Sequence, residues 1–244
     1  MRFMLAGGGT GGHIYPALAI GEELAERHPG SELLFVGGRR GLEGTLVPRA
    51  GHRFVAITVS GFERRLGLGT LVTAAKAGAG LVESMVVVSR FRPDVAIGTG
   101  GYASGPAILA ASLLRVPVLI HEQNVVPGAT NRLLASRAHT VAVSWAESIE
   151  RLPDPSRAVL TGNPIRREIV TASRREGLAA FRLAAGKPVV LDGATGTNLQ
   201  LRGLPAGAPS DIWALDNPGE VLRLHRSFLE AGSELILTDT FGSS

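Results

Sequence analysis

His13 is a titratable ring at the end of a stretch almost stripped of side chains. It follows Gly7-Gly8-Gly9-Thr10-Gly11-Gly12, five glycines in six residues. Before them, Phe3-Met4-Leu5-Ala6 reads as a buried strand; after them, Ile14 to Glu26 reads as a helix. Strand, glycine turn and helix bring bare backbone N–H groups and a helix N-terminus to one point, where an anion is favoured. A helix N-terminus disfavours imidazolium, so His13 is expected to be neutral and able to act as a base beside a bound phosphate. A tight turn without a ligand is the plain alternative, but the glycines outnumber what a turn needs.

Gly7, Gly9 and Gly12 formally satisfy the dinucleotide fingerprint G-x-G-x-x-G. That fingerprint expects a carboxylate at the end of the second strand, for a ribose. Here the second strand, Glu32 to Val36, ends in Gly37-Gly38-Arg39-Arg40. An arginine there suits a 2′-phosphate, which keeps an NADP reading open. No Gly-Lys-Ser/Thr ending follows the loop, which excludes a nucleoside-triphosphatase loop.

Three further clusters follow apolar runs. Gly98-Thr99-Gly100-Gly101-Tyr102 comes after Val95-Ala96-Ile97 and opens a helix, Ala107 to Leu114. Two glycine loops at one sheet edge suit a ligand with two phosphates. His121-Glu122-Gln123-Asn124 follows Val118-Leu119-Ile120. Four polar side chains in a row are expected to stay out of the core and to bind, with Asn124 alternatively capping the next helix, Ala129 to Ala135. Gly162-Asn163-Pro164-Ile165-Arg166-Arg167 follows Ala158 to Leu160, and either arginine suits a phosphate or sugar.

The elements that must position these residues alternate along the chain. Strand runs at 3–6, 32–36, 54–59, 95–98, 116–120, 140–143 and 158–160 are separated mostly by helical stretches. That predicts a doubly wound parallel sheet, with its ligand off the carboxyl ends of the strands. A helix from about Thr70 to Phe91 follows Arg64 and Arg65. The segment as a whole combines those arginines and Lys76, Arg90 and Arg92 with Leu66, Leu68, Leu71, Val72, Leu81 and Met85. A basic rim around an apolar patch suits an anionic bilayer; packing on the chain's own sheet is the alternative.

Composition narrows the classes. The 244 residues, 45% apolar, hold one large domain or two small ones. With no cysteine there is no disulfide, thiolate metal site or thiol nucleophile. No signal peptide or membrane span is expected. The formal charge of +4 favours anionic partners, but no basic stripe with interleaved aromatics points to nucleic acid.

Gly8-Gly9-Thr10-Gly11-Gly12-His13, Gly98-Thr99-Gly100-Gly101-Tyr102, His121-Glu122-Gln123-Asn124 and Gly162-Asn163-Pro164-Ile165-Arg166 stand in the order and rough spacing of one family. Through residues 1–186 the chain resembles the MurG-type peptidoglycan N-acetylglucosaminyltransferases. The resemblance implies transfer of N-acetylglucosamine from UDP to lipid I, making lipid II, by a peripheral enzyme on the inner face of the cell membrane. It implies His13 as general base for the acceptor hydroxyl. Thr10, Gly11, Gly12, Asn124 and Arg166 match positions contacting the UDP-sugar. The loops carrying Gly9, Gly100, Gly101 and Tyr102 would face the acceptor's pyrophosphate. UDP-N-acetylglucosamine, lipid I and an anionic membrane surface are the implied partners, with no cofactor and no metal.

The family's second domain carries most of the donor site. Lys187-Pro188-Val189-Val190-Leu191 is similar to its first strand, but the sequence then departs. Asp192-Gly193-Ala194-Thr195-Gly196-Thr197-Asn198, His225 to Gly232 and Leu235 to Gly242 instead resemble the opening of a homocysteine S-methyltransferase barrel. That family's zinc-binding cysteines have no counterpart here. The expected architecture is therefore a Rossmann-like acceptor domain over 1–165, one half of a two-domain glycosyltransferase. A connecting helix within 166–186 and a small strand–helix–strand appendage over 187–244 complete it. A non-catalytic lipid-pyrophosphate binding module and a methyltransferase are the alternative functions.

Overall fold

The computed structural model describes residues 1–39, 41–59, 68–171, 173–180, 199, 202–204 and 216–231, with backbone only for 68–75, 174 and 180. The chain divides into two compact units, Met1–Thr171 and Ala172–Ser244.

The first unit is a seven-stranded, all-parallel sheet in the order β3-β2-β1-β4-β5-β6-β7. Its strands are β1 (Arg2–Gly7), β2 (Glu32–Gly38), β3 (Arg53–Ile57), β4 (Val95–Gly100), β5 (Val118–Glu122), β6 (Thr140–Val143) and β7 (Ala158–Leu160). The helices are α1 (Gly11–Arg27), α2 (Glu43–Arg49), α3 (Leu68–Phe91), α4 (Ser104–Leu113), α5 (Ala129–Leu134) and α6 (Arg167–Thr171). This is the expected doubly wound, Rossmann-like sheet.

Period-two alternation feeds two cores. Phe3 and Leu5 point to one face of the sheet, where they meet Ile14, Ala17 and Leu18 of α1. Met4 and Ala6 point to the other, where they meet α3 and α4 through Val88, Phe91, Ala107 and Ile108. Ile14, Ala17, Leu18 and Gly21, all buried, lie on one face of α1 at helical spacing, which fixes that helix against the sheet.

The strand order reverses between β1 and β4, which run parallel: β2 and β3 lie to one side, β5 to β7 to the other. In such sheets the crevice at that switch point is where ligands lie. Both glycine loops emerge there, one after each of these strands. The β1–β4 register shifts between Ala6 and Gly7, which pairs Gly7 with Gly100.

Not all of the basic and apolar segment before β4 forms a surface patch. Leu81 and Met85 pack against the core, whereas Lys76, Arg90 and Arg92 are exposed. Arg64, Arg65 and Leu66 lie outside the described residues, as do the side chains of Leu68, Leu71 and Val72.

In the second unit, α7 (Arg174–Ala180) opens on a capping box. Ser173 Oγ accepts from the Glu176 N–H at 3.2 Å, and the Glu176 carboxylate accepts from the Ser173 N–H at 2.8 Å. The helix Pro218–Glu230 buries Leu224 against Leu199 and Leu204. The strands expected near 187–191 and 235–240 lie outside the described residues.

Candidate functional site

The site is built at the carboxyl ends of β1, β4, β5 and β7. His13 stands in the first turn of α1, which Thr10 caps in extended conformation without a side-chain bond. Thr10 and Gly12 are exposed, Gly11 is buried and His13 is partly buried. Only an N–H can pair with a carbonyl, so His13 Nδ1, 3.0 Å from the Thr99 carbonyl oxygen, must carry the ring proton. Neutral His13 then presents an unprotonated Nε2. Thr99 also donates its hydroxyl to the His13 carbonyl at 2.7 Å. The Thr99 carbonyl accepts a second bond, from Gln123 Nε2, at 2.6 Å. Buried Thr99 therefore orients the His13 ring and selects Nδ1 as its donor.

The glycines have a different explanation from the one expected. A Cβ on Gly8 would overlap the buried Glu43 carboxylate, and one on Gly7 would overlap the Thr99 hydroxyl. One on Gly9, whose φ is +88°, would lie 2.8 Å from the Tyr102 ring. A Cβ on Gly101 would collide with the Gly8 carbonyl oxygen. These four glycines let two loops and a buried glutamate interlock, so their number alone is not evidence of a ligand. Gly12 differs: a Cβ there would meet nothing nearer than Thr10 Oγ1 at 3.8 Å. The exposed start of α1 around Gly12 is therefore the accessible end of this loop, where the first N–H groups of a helix have no intrahelical partner.

The polar run after β5 needs correction. His121 and Glu122, expected among the binding groups, are 1% and 0% exposed. Glu122 is tolerated in the core because both oxygens are saturated. Oε1 accepts from the Asn124 N–H and the Asn124 side-chain amide at 2.8 and 2.9 Å; Oε2 accepts from the Gly128 N–H and Asn131 Nδ2, both at 2.9 Å. One carboxylate thus shapes the whole turn into α5. Asn124 itself is exposed; its nitrogen is spent on Glu122, and its Oδ1 is the remaining acceptor. Gly128, rather than Asn124, precedes the helix as its cap.

His121 donates from Nε2 to the Gly162 carbonyl at 3.2 Å, tying β5 to the segment after β7. Burial pushes its pKa below the ordinary histidine value, outweighing the Gly162 bond and the Glu122 charge. The unfolded chain therefore binds the proton more readily. Stability is full above about pH 6.5 and is lost as pH falls toward the folded pKa. Urea melts between pH 7.5 and 5 are expected to show this acid loss and to show less of it in His121→Gln. His52, lowered chiefly by burial, contributes equally to both proteins. An acid limb of unchanged slope in the variant would contradict the assignment.

The two arginines part company. Arg166 lies over the Tyr15 ring, 4.3 Å from its centroid, and pairs with Glu168. That stacking holds a cation beside the first turn of α1. Arg167 pairs instead with Glu26 near the far end of α1. Arg39, weighed for a 2′-phosphate, lies 3.5 Å from Glu83.

Among the described residues, six buried polar side-chain atoms lack a partner, and four of them gather here: His121 Nδ1, Gln123 Oε1, Ser144 Oγ and Arg166 Nε. All belong to residues at or just beyond the carboxyl ends of β5, β6 and β7. Tyr102, 40% exposed, stands between this edge and an apolar groove of about 570 Å³. Gly78, Leu81, Pro106, Leu109 and Leu133 help to line that groove. Burial, and then the Glu43 charge, pushes the Tyr102 hydroxyl pKa above its ordinary value. Among the described residues no group of three or more His, Cys, Asp or Glu suits a metal ion, and no helix is long and apolar enough to cross a membrane.

Sequence reasoning missed Glu43, the paired roles of Thr99, the stacking of Tyr15, and Trp145, whose exposed indole donates to the Gln123 carbonyl at 3.0 Å. Glu43 had a signal: Gly37, Gly38 and Gly41 crowd the approach to a lone acidic residue.

Residues 3–143 match the glycosyltransferase family 28 N-terminal domain. Residues 189–244 match homocysteine S-methyltransferase, a short segment. The chain is 47% identical over 191 residues to a protein of Thermoanaerobacter sp. (strain X514), the UDP-N-acetylglucosamine--N-acetylmuramyl-(pentapeptide) pyrophosphoryl-undecaprenol N-acetylglucosamine transferase. That alignment covers 78% of this chain and 52% of the relative. The protein of the same name from Moorella thermoacetica is 52% identical over 174 residues, 71% of this chain and 47% of the relative. The chain thus spans about half the length of the curated relatives it matches. Among solved structures, MurG from Acinetobacter baumannii superposes with a TM-score of 0.58 at 25% identity, over 97% of this chain and 65% of that one. The UDP-GlcNAc 2-epimerase of Neisseria meningitidis, with a TM-score of 0.55 at 15% identity over 97% of this chain and 72% of that one, shares the fold.

Proposed function

The chain belongs to glycosyltransferase family 28 through its N-terminal domain, and from that membership we propose that it serves the transfer of N-acetylglucosamine from UDP-N-acetylglucosamine to lipid I. Its first unit would be the acceptor half. The observation that carries this reading is His13, held through Nδ1 by the Thr99 carbonyl beside the switch-point glycine loops, so that Nε2 is the nitrogen a neutral ring leaves free.

In that reaction the acceptor hydroxyl attacks the anomeric carbon of the donor sugar. The bond from that carbon to the UDP phosphate oxygen breaks, and its electron pair leaves with UDP. The hydroxyl proton passes to His13 Nε2. Charge developing on the diphosphate favours the exposed start of α1, at Thr10, Gly11 and Gly12, and the guanidinium of Arg166. Asn124 Oδ1 offers an acceptor to a sugar hydroxyl. Gly9, Gly100, Gly101 and Tyr102 would border the acceptor's pyrophosphate, and the apolar groove beyond Tyr102 suits its hydrocarbon chain.

The reading includes a peripheral position on an anionic, cytoplasm-facing bilayer; of the segment's described cations, exposed Lys76 lies toward the groove's end of α3, and exposed Arg90 and Arg92 lie at the end that leads into β4. Co-sedimentation with phosphatidylglycerol vesicles is expected at low salt and to fall sharply by 0.5 M salt, where the screening length is only about 4 Å. Absent or salt-independent binding would count against the membrane part of this reading.

A further inference from the structure

We propose that Glu43 is a positioning residue, the strut that holds the glycine loop of residues 7–12 in its ligand-ready shape. The inference rests on the acceptor-site reading above. It gives a task to a buried carboxylate for which the transfer step has no use.

Glu43 is the first residue of α2 and is 0% exposed. Its Oε1 accepts from the Gly38 N–H at 2.7 Å, and its Oε2 accepts from the Gly9 N–H at 3.1 Å. The side chain therefore ties the end of β2 to the middle of the loop after β1. The surrounding backbone has given way to it: Cβ atoms on Gly8, Gly37 and Gly41 would each overlap this side chain. The tether passes directly into the site. Gly9 abuts the Tyr102 ring, Gly8 carries the carbonyl against which Gly101 packs, and Gly101 and Gly100 border the His13 imidazole. Moving Glu43 would shift the glycine loop, and with it the surroundings of His13 and Tyr102. The Gly9 N–H is also taken, so the acceptor's pyrophosphate must meet this loop at donors other than that one. Glu43 thus preorganises one anion position and closes another.

Glu43→Gln keeps the volume but turns one acceptor into a donor, facing an N–H it cannot bond. A charge-assisted bond is worth about ten- to a hundredfold in a local equilibrium. Amide hydrogen exchange of the full chain should therefore accelerate at Gly9 and Gly38 by about that factor. Exchange at Asn124 and Gly128, which Glu122 holds, should stay native. Gly8→Ala, which presses on the same carboxylate from the loop side, should give the same pattern. The double variant should then lose less than the two single losses combined. Affinity for a water-soluble lipid I analogue should fall at least about tenfold in either single variant. A structural role alone would loosen all four amides together.

Native protection at Gly9 and Gly38 in Glu43→Gln would overturn the proposal, as would loosened amides with unchanged affinity. If the native chain does not bind the analogue, the proposed function fails separately, and the exchange pattern still decides whether Glu43 holds the loop.

Discussion

In a chain that carries out the proposed transfer, replacing His13 by alanine is expected to cut transfer of N-acetylglucosamine to a soluble lipid I analogue by about 10²- to 10⁴-fold. The loss should fall on kcat. A sugar hydroxyl is a poor nucleophile until its proton is taken, and in a neutral His13 ring the Thr99 bond at Nδ1 leaves Nε2 to take it. Acceptor affinity should change less than kcat, because the loops of Gly9, Gly100, Gly101 and Tyr102 that would border the acceptor's pyrophosphate offer it backbone and the Tyr102 ring rather than the imidazole. Stability should change by only about 1 kcal/mol, the net worth of the lost hydrogen bond. A radiolabelled-donor assay with matched thermal melts separates these effects. Native turnover in His13→Ala would remove His13 as the base.

Gly101→Ala is expected to lower stability by about 3 kcal/mol, combining a left-handed backbone with an overpacked contact. Gly101 has a φ of +78°, and its Cβ would collide with the Gly8 carbonyl oxygen, which cannot swing aside as a side-chain tip can. For a chain of this size that corresponds to roughly 6–12 °C in Tm. The matched control is Gly12→Ala. Its Cβ meets only Thr10 Oγ1 at 3.8 Å, so its Tm should stay native. Any loss of anion binding in Gly12→Ala would then report on the ligand position and not on folding. Equal melting of the two variants would refute the interlocked-loop description.

The sheet was legible because its signals are local. Apolar runs such as Phe3 to Ala6 alternate with helical faces such as Ile14, Ala17, Leu18 and Gly21, and the glycine loops mark the strand ends at the switch point. His13 could be singled out because nothing around it in sequence competes for attention. The supporting groups could not, because their roles are made through space. Thr99 acts on a residue 86 positions away, and Glu43 acts across 34 positions on Gly9. The rule that polar runs stay exposed failed at His121 and Glu122, because Glu122 finds its donors in the turn that it creates. The same interlocking explains why a glycine count pointed to a ligand when much of it serves packing. Residues past 187 resemble a different family, and most lie outside the described part of the structure.

The central claim is that this chain carries a lipid-pyrophosphate acceptor site in its first unit. Calorimetric titration of the purified chain tests it most directly, with a water-soluble lipid I analogue in one arm and UDP-N-acetylglucosamine in the other. The expected result is saturable binding of the analogue that weakens in Glu43→Gln and persists in His13→Ala. Binding of the donor as well would call for a transfer assay on the same sample. No heat with the analogue at concentrations where the chain remains folded would contradict the claim.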